Sequence, residues 1–196
     1  MIRRRKKMNK LNKVVTVIAK VAEVAFWVLC GLLLIVMVAA LIGRSTWIEL
    51  FHEFVEVQTL VVNGFEIDFI QLESLFTVRA IVLITIAGIL GFVLDAMIFR
   101  NIYLIFRTAA GKTSFSKGET PFQPDIIRMV REIGYFSIAI PVVQIFMSIL
   151  ARIVIRSEFL ETSVSLTGVV MGLVVLALSQ FFAYGAQLQS DVDGLV

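Results

Sequence analysis

The sequence has very few of the residues from which catalytic and metal sites are usually built. Among 196 residues there is one histidine, His52, and one cysteine, Cys30. A lone cysteine excludes an intrachain disulfide and a multi-thiolate metal site, and a lone histidine excludes a multi-histidine site. The sequence also contains no catalytic or cofactor motif. We therefore expect a protein that is not an enzyme and that holds no cofactor and no metal.

Charged residues are also scarce. They make up 17% of the chain, whereas about 25% is usual in soluble domains. Hydrophobic residues make up 59%, and a soluble chain of this size cannot bury that much apolar surface. The net charge of +3 comes from basic residues that flank apolar runs and form no stripe. We therefore expect a lipid bilayer as the surrounding medium and no direct contact with nucleic acid.

Four apolar runs are long enough to cross the hydrocarbon core, which requires about 20 residues as a helix. They cover residues 24–42, 78–99, 133–155 and 164–186. Runs of this length are too long for barrel strands, so they predict helices. The basic start before the first run also fits a signal peptide, but the run exceeds the usual core of about 7–15 apolar residues. We expect a retained helix, with cleavage as the alternative.

Lysine and arginine are distributed unequally over the loops. Fourteen precede the first span or lie between the second and third spans, and four lie on the other side. The positive-inside rule then places residues 1–23, 100–132 and 187–196 in the cytosol and residues 43–77 and 156–163 outside. The predicted fold is an all-α four-transmembrane-helix bundle with both termini in the cytosol. The predicted location is a membrane that the chain crosses four times.

The outer loop, residues 43–77, contains two local patterns. Trp47, Phe51 and Phe54 fall at helical spacing, which indicates a short helix on the membrane surface. Asn63-Gly64 lies between alternating residues, which is a strong β-hairpin signal because both turn positions need positive φ. The loop is either a cap for an extracellular ligand or partner or a simple spacer, and the spacer is favoured.

The inner loop breaks at Gly111 and begins a new amphipathic helix at Pro124, a residue suited to the first helical turn. One interpretation is a docking surface for a cytosolic partner. The other is anchoring by positive charge and lipid headgroups. The candidate docking residues are Phe122, Arg128, Arg131 and, in the C-terminal tail, Asp191.

Some polar and small residues lie inside the predicted spans. The candidate intramembrane polar residues are Asp95, Gln144, Arg152, Gln180 and Tyr184, and the candidate packing residues are Gly91, Gly168, Gly172 and Ser179. Small residues allow close helix packing in lipid, so these stripes predict seams of a bundle; a polar pathway or a dimer interface is the alternative. An intramembrane acid is a functional candidate. For Asp95 we favour a structural hydrogen bond, with Tyr184 and Gln187 as possible donors.

Two stretches resemble a known family. Residues 120–134 read TPFQPDIIRMVREIG and residues 180–196 read QFFAYGAQLQSDVDGLV. Together with the span layout they look like the bacterial membrane family called domain of unknown function twenty-nine seventy-five, which has a Pro-Phe entry, a Leu-Arg-x-Ile-Gly-like helix and a Gly-x-x-Leu-x-x-Asp-like tail. The chain has Gln123, Pro124 and Asp125 where that pattern has Ser, Glu and Asn, so no side-chain role is carried over there.

The resemblance implies a four-span protein of unknown biochemistry whose genes often neighbour a small helix-turn-helix regulator. We therefore expect a multi-pass protein of the bacterial cytoplasmic membrane that is a non-enzymatic regulatory or interaction partner of a cytosolic protein, with such a transcription regulator as one candidate. A small oligomeric transporter or channel is the main alternative, because four spans enclose little space in one chain. A bacteriocin-immunity protein is a variant of the first hypothesis, and a homo-oligomer is compatible with each.

Overall fold

The computed structural model describes residues 2–42, 59–62, 65–68, 78–114, 116, 122–155 and 166–193. Four helices account for most of them: α1 (Ile2–Ile42), α2 (Val78–Ala109), α3 (Pro124–Ile155) and α4 (Thr167–Asp193). Each contains a segment that is long and apolar enough to cross a membrane, namely Lys10–Ile42, Ile81–Ala109, Pro124–Val154 and Thr167–Val192. This confirms the expectation of four helices with the length and composition of membrane spans.

The helices extend beyond the apolar runs because the flanking sequence also favours a helix. Residues 2–23 contain no proline or glycine, and α1 continues through them without a break. Helix α3 begins at Pro124, where the missing N–H costs nothing, and Asp125 complements the helix dipole in the first turn. Helix α2 ends at Ala109, and Gly111 follows with a φ of 70°. Only glycine adopts that backbone conformation without steric cost.

Between α1 and α2 lies a two-stranded antiparallel sheet. Strands β1 (Thr59–Val62) and β2 (Phe65–Asp68) pair so that Thr59 lies opposite Asp68 and Val62 opposite Phe65. Asn63 and Gly64 fall outside the described residues, so the turn between the strands stays a prediction. The surface helix predicted around Trp47, Phe51 and Phe54 also falls outside the described residues.

The chain divides into two compact units. The first comprises Met1–Ala25, Leu94–Ile138 and Thr167–Val196, and the second comprises Phe26–Val93 and Ala139–Leu166. In the second unit, Ala87 of α2 and Met147 of α3 are buried against Leu83, Val143 and Leu150. Also in that unit, the rings of Phe26 and Phe92 lie 5.8 Å apart, and Cys30 Sγ donates a long hydrogen bond of 3.9 Å to Ile89 O. The order of these contacts makes α1 and α2 antiparallel.

Helices α3 and α4 cross closely in the first unit, and glycine makes the crossing possible. A Cβ atom added to Gly172 would lie 2.5 Å from Ile138 Cγ1 and 2.8 Å from Gly134 O. One added to Gly134 would lie 2.7 Å from Leu176 Cγ. Carbon atoms pack best at about 3.5–4.0 Å, so neither position has room for a side chain. Because Gly134 meets Leu176 while Ile138 meets Gly172, α3 and α4 are antiparallel.

Large apolar side chains lie exposed along the helices. On α1 they include Val17, Val21, Val28 and Ile35, and on α4 they include Leu173 and Phe181. A soluble monomer rarely exposes contiguous apolar surface of this extent. Lipid covers such surface at no cost, so the exposed apolar faces are those expected of membrane-spanning helices.

Candidate functional site

A group of charged and aromatic side chains joins α1 to α2 in the first unit; we call Lys20, Glu23, Tyr103 and Arg107 the Tyr103 cluster. Lys20 Nζ donates to Glu23 Oε2 at 3.0 Å and lies 5.2 Å from the centroid of the Tyr103 ring. Arg107 Cζ lies 5.6 Å from the same centroid, and Arg107 Nη1 donates to Tyr103 Oη at 2.8 Å. Both cations are within the roughly 6 Å range of a cation–π interaction.

A second polar group joins α2 to α3 in the same unit; we call Asn101, Asp125, Arg128 and Glu132 the Glu132 cluster. The amide of Asn101, which is buried, donates from Nδ2 to Glu132 Oε2 at 3.0 Å. Arg128 Nε lies 3.5 Å from Glu132 Oε1, and Arg128 Nη2 lies 4.0 Å from Asp125 Oδ1. The buried amide therefore fixes a carboxylate, and the carboxylate in turn orients an arginine.

Arg128 remains available to solvent despite these ion pairs. Its side chain is 66% exposed, and the opposite face of the same turn carries the buried residues Ile126 and Met129. Arg131 is half-buried, and Asp191 on α4 is exposed. Of the two predicted docking arginines, Arg128 thus has the more accessible side chain.

Phe122, also a predicted docking residue, packs against α4. Its ring centroid lies 6.0 Å from that of Phe182, and a Cβ atom at Gly185 would lie 2.5 Å from Phe122 Cε1. The side chain is 39% exposed. Its main contact is therefore within the protein, where it ties the start of α3 to α4.

The predicted intramembrane polar residues have different surroundings. Asp95 is half-buried and makes no hydrogen bond or ion pair among the described contacts. Tyr184 is 65% exposed and Gln187 is exposed, and neither donates to Asp95. Gln180 and Arg152 are exposed, whereas Gln144 is buried. The expected hydrogen bond from α4 to Asp95 is therefore absent from the described contacts.

The hydroxyl groups of three residues inside the apolar helices donate hydrogen bonds within their own helix. Thr85 donates to Ile81 O at 2.6 Å, Ser148 to Gln144 O at 2.6 Å, and Ser179 to Leu176 O at 2.6 Å. Each bond returns to the carbonyl of the residue's own helix, which is the usual way to satisfy such a group in lipid. Ser179, a predicted packing residue, is completely buried.

The predicted packing glycines have different surroundings. Gly172 lies at the closest part of the α3–α4 crossing, Gly91 on α2 is buried, and Gly168 is half-buried. The neighbour of Gly172 across the crossing is Gly134, which is not among the predicted packing residues. The signal for it is a small residue, Gly134, at the second position of the third apolar run.

No protein-family model matches the chain, and neither a curated protein nor a solved structure matches it significantly. Among the described residues, no group of three histidine, cysteine or acidic side chains is placed to hold a metal ion. The resemblance to domain of unknown function twenty-nine seventy-five therefore stays a prediction.

Proposed function

We propose that the chain is a four-span membrane protein of the bacterial cytoplasmic membrane that serves as a non-enzymatic docking partner for a cytosolic protein. The docking surface comprises the first two turns of α3, with Arg128 and Arg131, and the C-terminal end of α4, with Asp191. The observation that carries the proposal is the exposure of Arg128 on a turn whose other face is buried. A charge held on a rigid helix can steer and orient a partner.

The proposed orientation places both termini in the cytosol and the β1–β2 sheet outside. Fourteen of the eighteen lysines and arginines support this orientation. The antiparallel contacts of α1 with α2 and of α3 with α4 support it as well, because an even number of alternating spans returns the chain to its starting side. A cytosolic helix-turn-helix regulator is the partner class that the family resemblance suggests.

The test compares two variants in the same membranes. Arg128→Glu combined with Arg131→Glu should slow partner association and reduce its salt dependence, because both changes reverse charges at the docking surface. Asp95→Asn should leave the association unchanged. A proton-coupled transporter would behave in the opposite way, because Asp95 is an acid within an apolar helix and its neutralisation would remove coupling.

Insertion must be checked in the same experiment. Cysteines at Gly64 and Gly118, placed in a Cys30→Ala background, should react with an impermeant thiol reagent from opposite sides. The double arginine variant should retain that pattern. If a correctly inserted double variant binds its partner as the parent does, the docking proposal is wrong.

A further inference from the structure

The Tyr103 cluster concentrates positive charge where two apolar helices meet. Lys20 belongs to the apolar helical segment Lys10–Ile42 and Arg107 to the segment Ile81–Ala109. The tyrosine ring holds the two cations in one place, although they come from different helices. Basic pockets between transmembrane helices are a recurrent form of binding site for phospholipid headgroups.

The cations retain hydrogen-bonding capacity for a further ligand. The ammonium of Lys20 has three N–H donors, and its described bond goes to Glu23. The guanidinium of Arg107 has five N–H donors, and its described bonds go to Tyr103 Oη and Lys112 O. Several donors are thus left to a ligand rich in acceptor oxygens, such as a phosphate.

The carboxylate of Glu23 does not neutralise the positive charge of the Tyr103 cluster. Glu23 has a side chain that is 10% exposed, whereas that of Lys20 is 47% exposed. The side chain of Lys20 is therefore accessible to a ligand, whereas that of Glu23 is nearly buried. Two cations against one carboxylate leave the cluster with one excess positive charge, which matches the single negative charge of a phosphodiester.

The surface beside Lys20 is apolar and uncovered. Val17, Val21 and Val24 lie within one turn of Lys20 on α1 and are 61%, 64% and 49% exposed. An acyl chain that covers these valines brings the phosphate of the same molecule to the ammonium. A free phosphate would use the cations alone and leave the valines uncovered.

We propose that Lys20, Tyr103 and Arg107 bind the phosphate of an acidic phospholipid whose acyl chain lies on the valine face of α1. Glu23 is a positioning residue because it orients Lys20. The proposal depends on the membrane-spanning nature of α1 and α2 and is independent of any cytosolic partner, so it and the docking proposal can fail separately.

The full-length protein in a non-ionic detergent, titrated with phosphatidylglycerol, tests the proposal, with bound lipid counted by native mass spectrometry. Lys20→Gln and Arg107→Gln should each weaken binding about fivefold, the factor that corresponds to about 1 kcal/mol for one basic side chain near a membrane surface. Tyr103→Leu, which changes no charge, should also weaken binding because the ring no longer holds the cations together. Lys20→Arg should restore most of the affinity.

Two matched controls test whether the effect is local. Lys10→Gln removes the same charge from an exposed position on α1, and Arg79→Gln does so on α2; both should bind phosphatidylglycerol as the parent does. Phosphatidylcholine should bind less well than phosphatidylglycerol, because its ammonium group meets the cations. Equal binding of both lipids, or equal losses in the control and cluster variants, would overturn the proposal. Displacement of the lipid by inorganic phosphate at equal concentration would reassign the site to free phosphate.

Discussion

Adding a single methyl group at Gly172 tests the close crossing of α3 and α4. In Gly172→Ala the new Cβ atom would lie 2.5 Å from Ile138 Cγ1 and 2.8 Å from Gly134 O. The first neighbour is a side-chain atom that can shift, but the second belongs to the backbone of α3. Because real Cβ atoms essentially never lie closer than 3.0 Å to such a neighbour, the backbones of α3 and α4 must separate by several tenths of an ångström to accept the methyl group.

The expected magnitude follows from two opposing effects. Overpacking of a close contact costs about 1–3 kcal/mol, while alanine favours a helix interior over glycine by about 0.8–1 kcal/mol. Gly31→Ala is the matched control, because a Cβ atom there meets nothing within 4 Å. The control should gain stability, and Gly172→Ala should be less stable than the control by the whole overpacking cost.

The measurement is the free energy of unfolding in mixed micelles as the fraction of denaturing detergent rises, followed by far-ultraviolet circular dichroism. Ile138→Ala added to Gly172→Ala should recover part of the loss, because it removes the nearer of the two obstructing atoms and leaves Gly134 O in place. If Gly172→Ala and Gly31→Ala unfold with the same free energy, the close crossing is wrong.

Two further predictions concern other contacts of the first unit. Gly185→Ala should lower the unfolding temperature, because its Cβ atom would lie 2.5 Å from Phe122 Cε1. Adding Phe122→Ala to this variant should lower the unfolding temperature little further. If the two substitutions lower it additively, this contact is wrong. Asn101→Leu removes the 3.0 Å hydrogen bond to Glu132. It should lower the free energy of unfolding by about 1.5 kcal/mol, the lower end of the range for a hydrogen bond to a charged group. The lower end applies because the side chain of Glu132 is 37% exposed. Asn101→Asp should cost more, since it brings a second negative charge to Glu132, and an Asn101→Asp variant as stable as the parent would refute the contact.

The spans were predictable because length and apolar content alone decide which segments can cross a membrane. The start of α3 was predictable for a similar reason, because Pro124 and Asp125 are local signals that act within one helical turn. The continuous helix through residues 2–23 was not predicted, because the basic residues there indicated a cytosolic segment separate from the first span. The absence of proline and glycine there was the signal that indicated one helix.

The polar clusters were less predictable because they depend on which helices meet. Lys20 and Glu23 are three residues apart and suggest an ion pair, and Tyr103 and Arg107 are four apart and suggest a contact on one face. Neither spacing shows that Lys20 reaches the ring of Tyr103. In the same way, the sequence indicated small residues on α4 but not that Gly134 of α3 would be the partner of Gly172.

The ion pairs among the described residues lie in one part of the chain. All three ion pairs among the described residues, Lys20–Glu23, Arg128–Asp125 and Arg128–Glu132, lie in the first unit. In the second unit, Thr85 and Ser148 bond to their own helices, and Ala87 and Met147 form the apolar core. The ordered charges that a docking surface or a headgroup site would use therefore lie in the first unit, whereas the arginines described in the second unit, Arg79 and Arg152, are exposed.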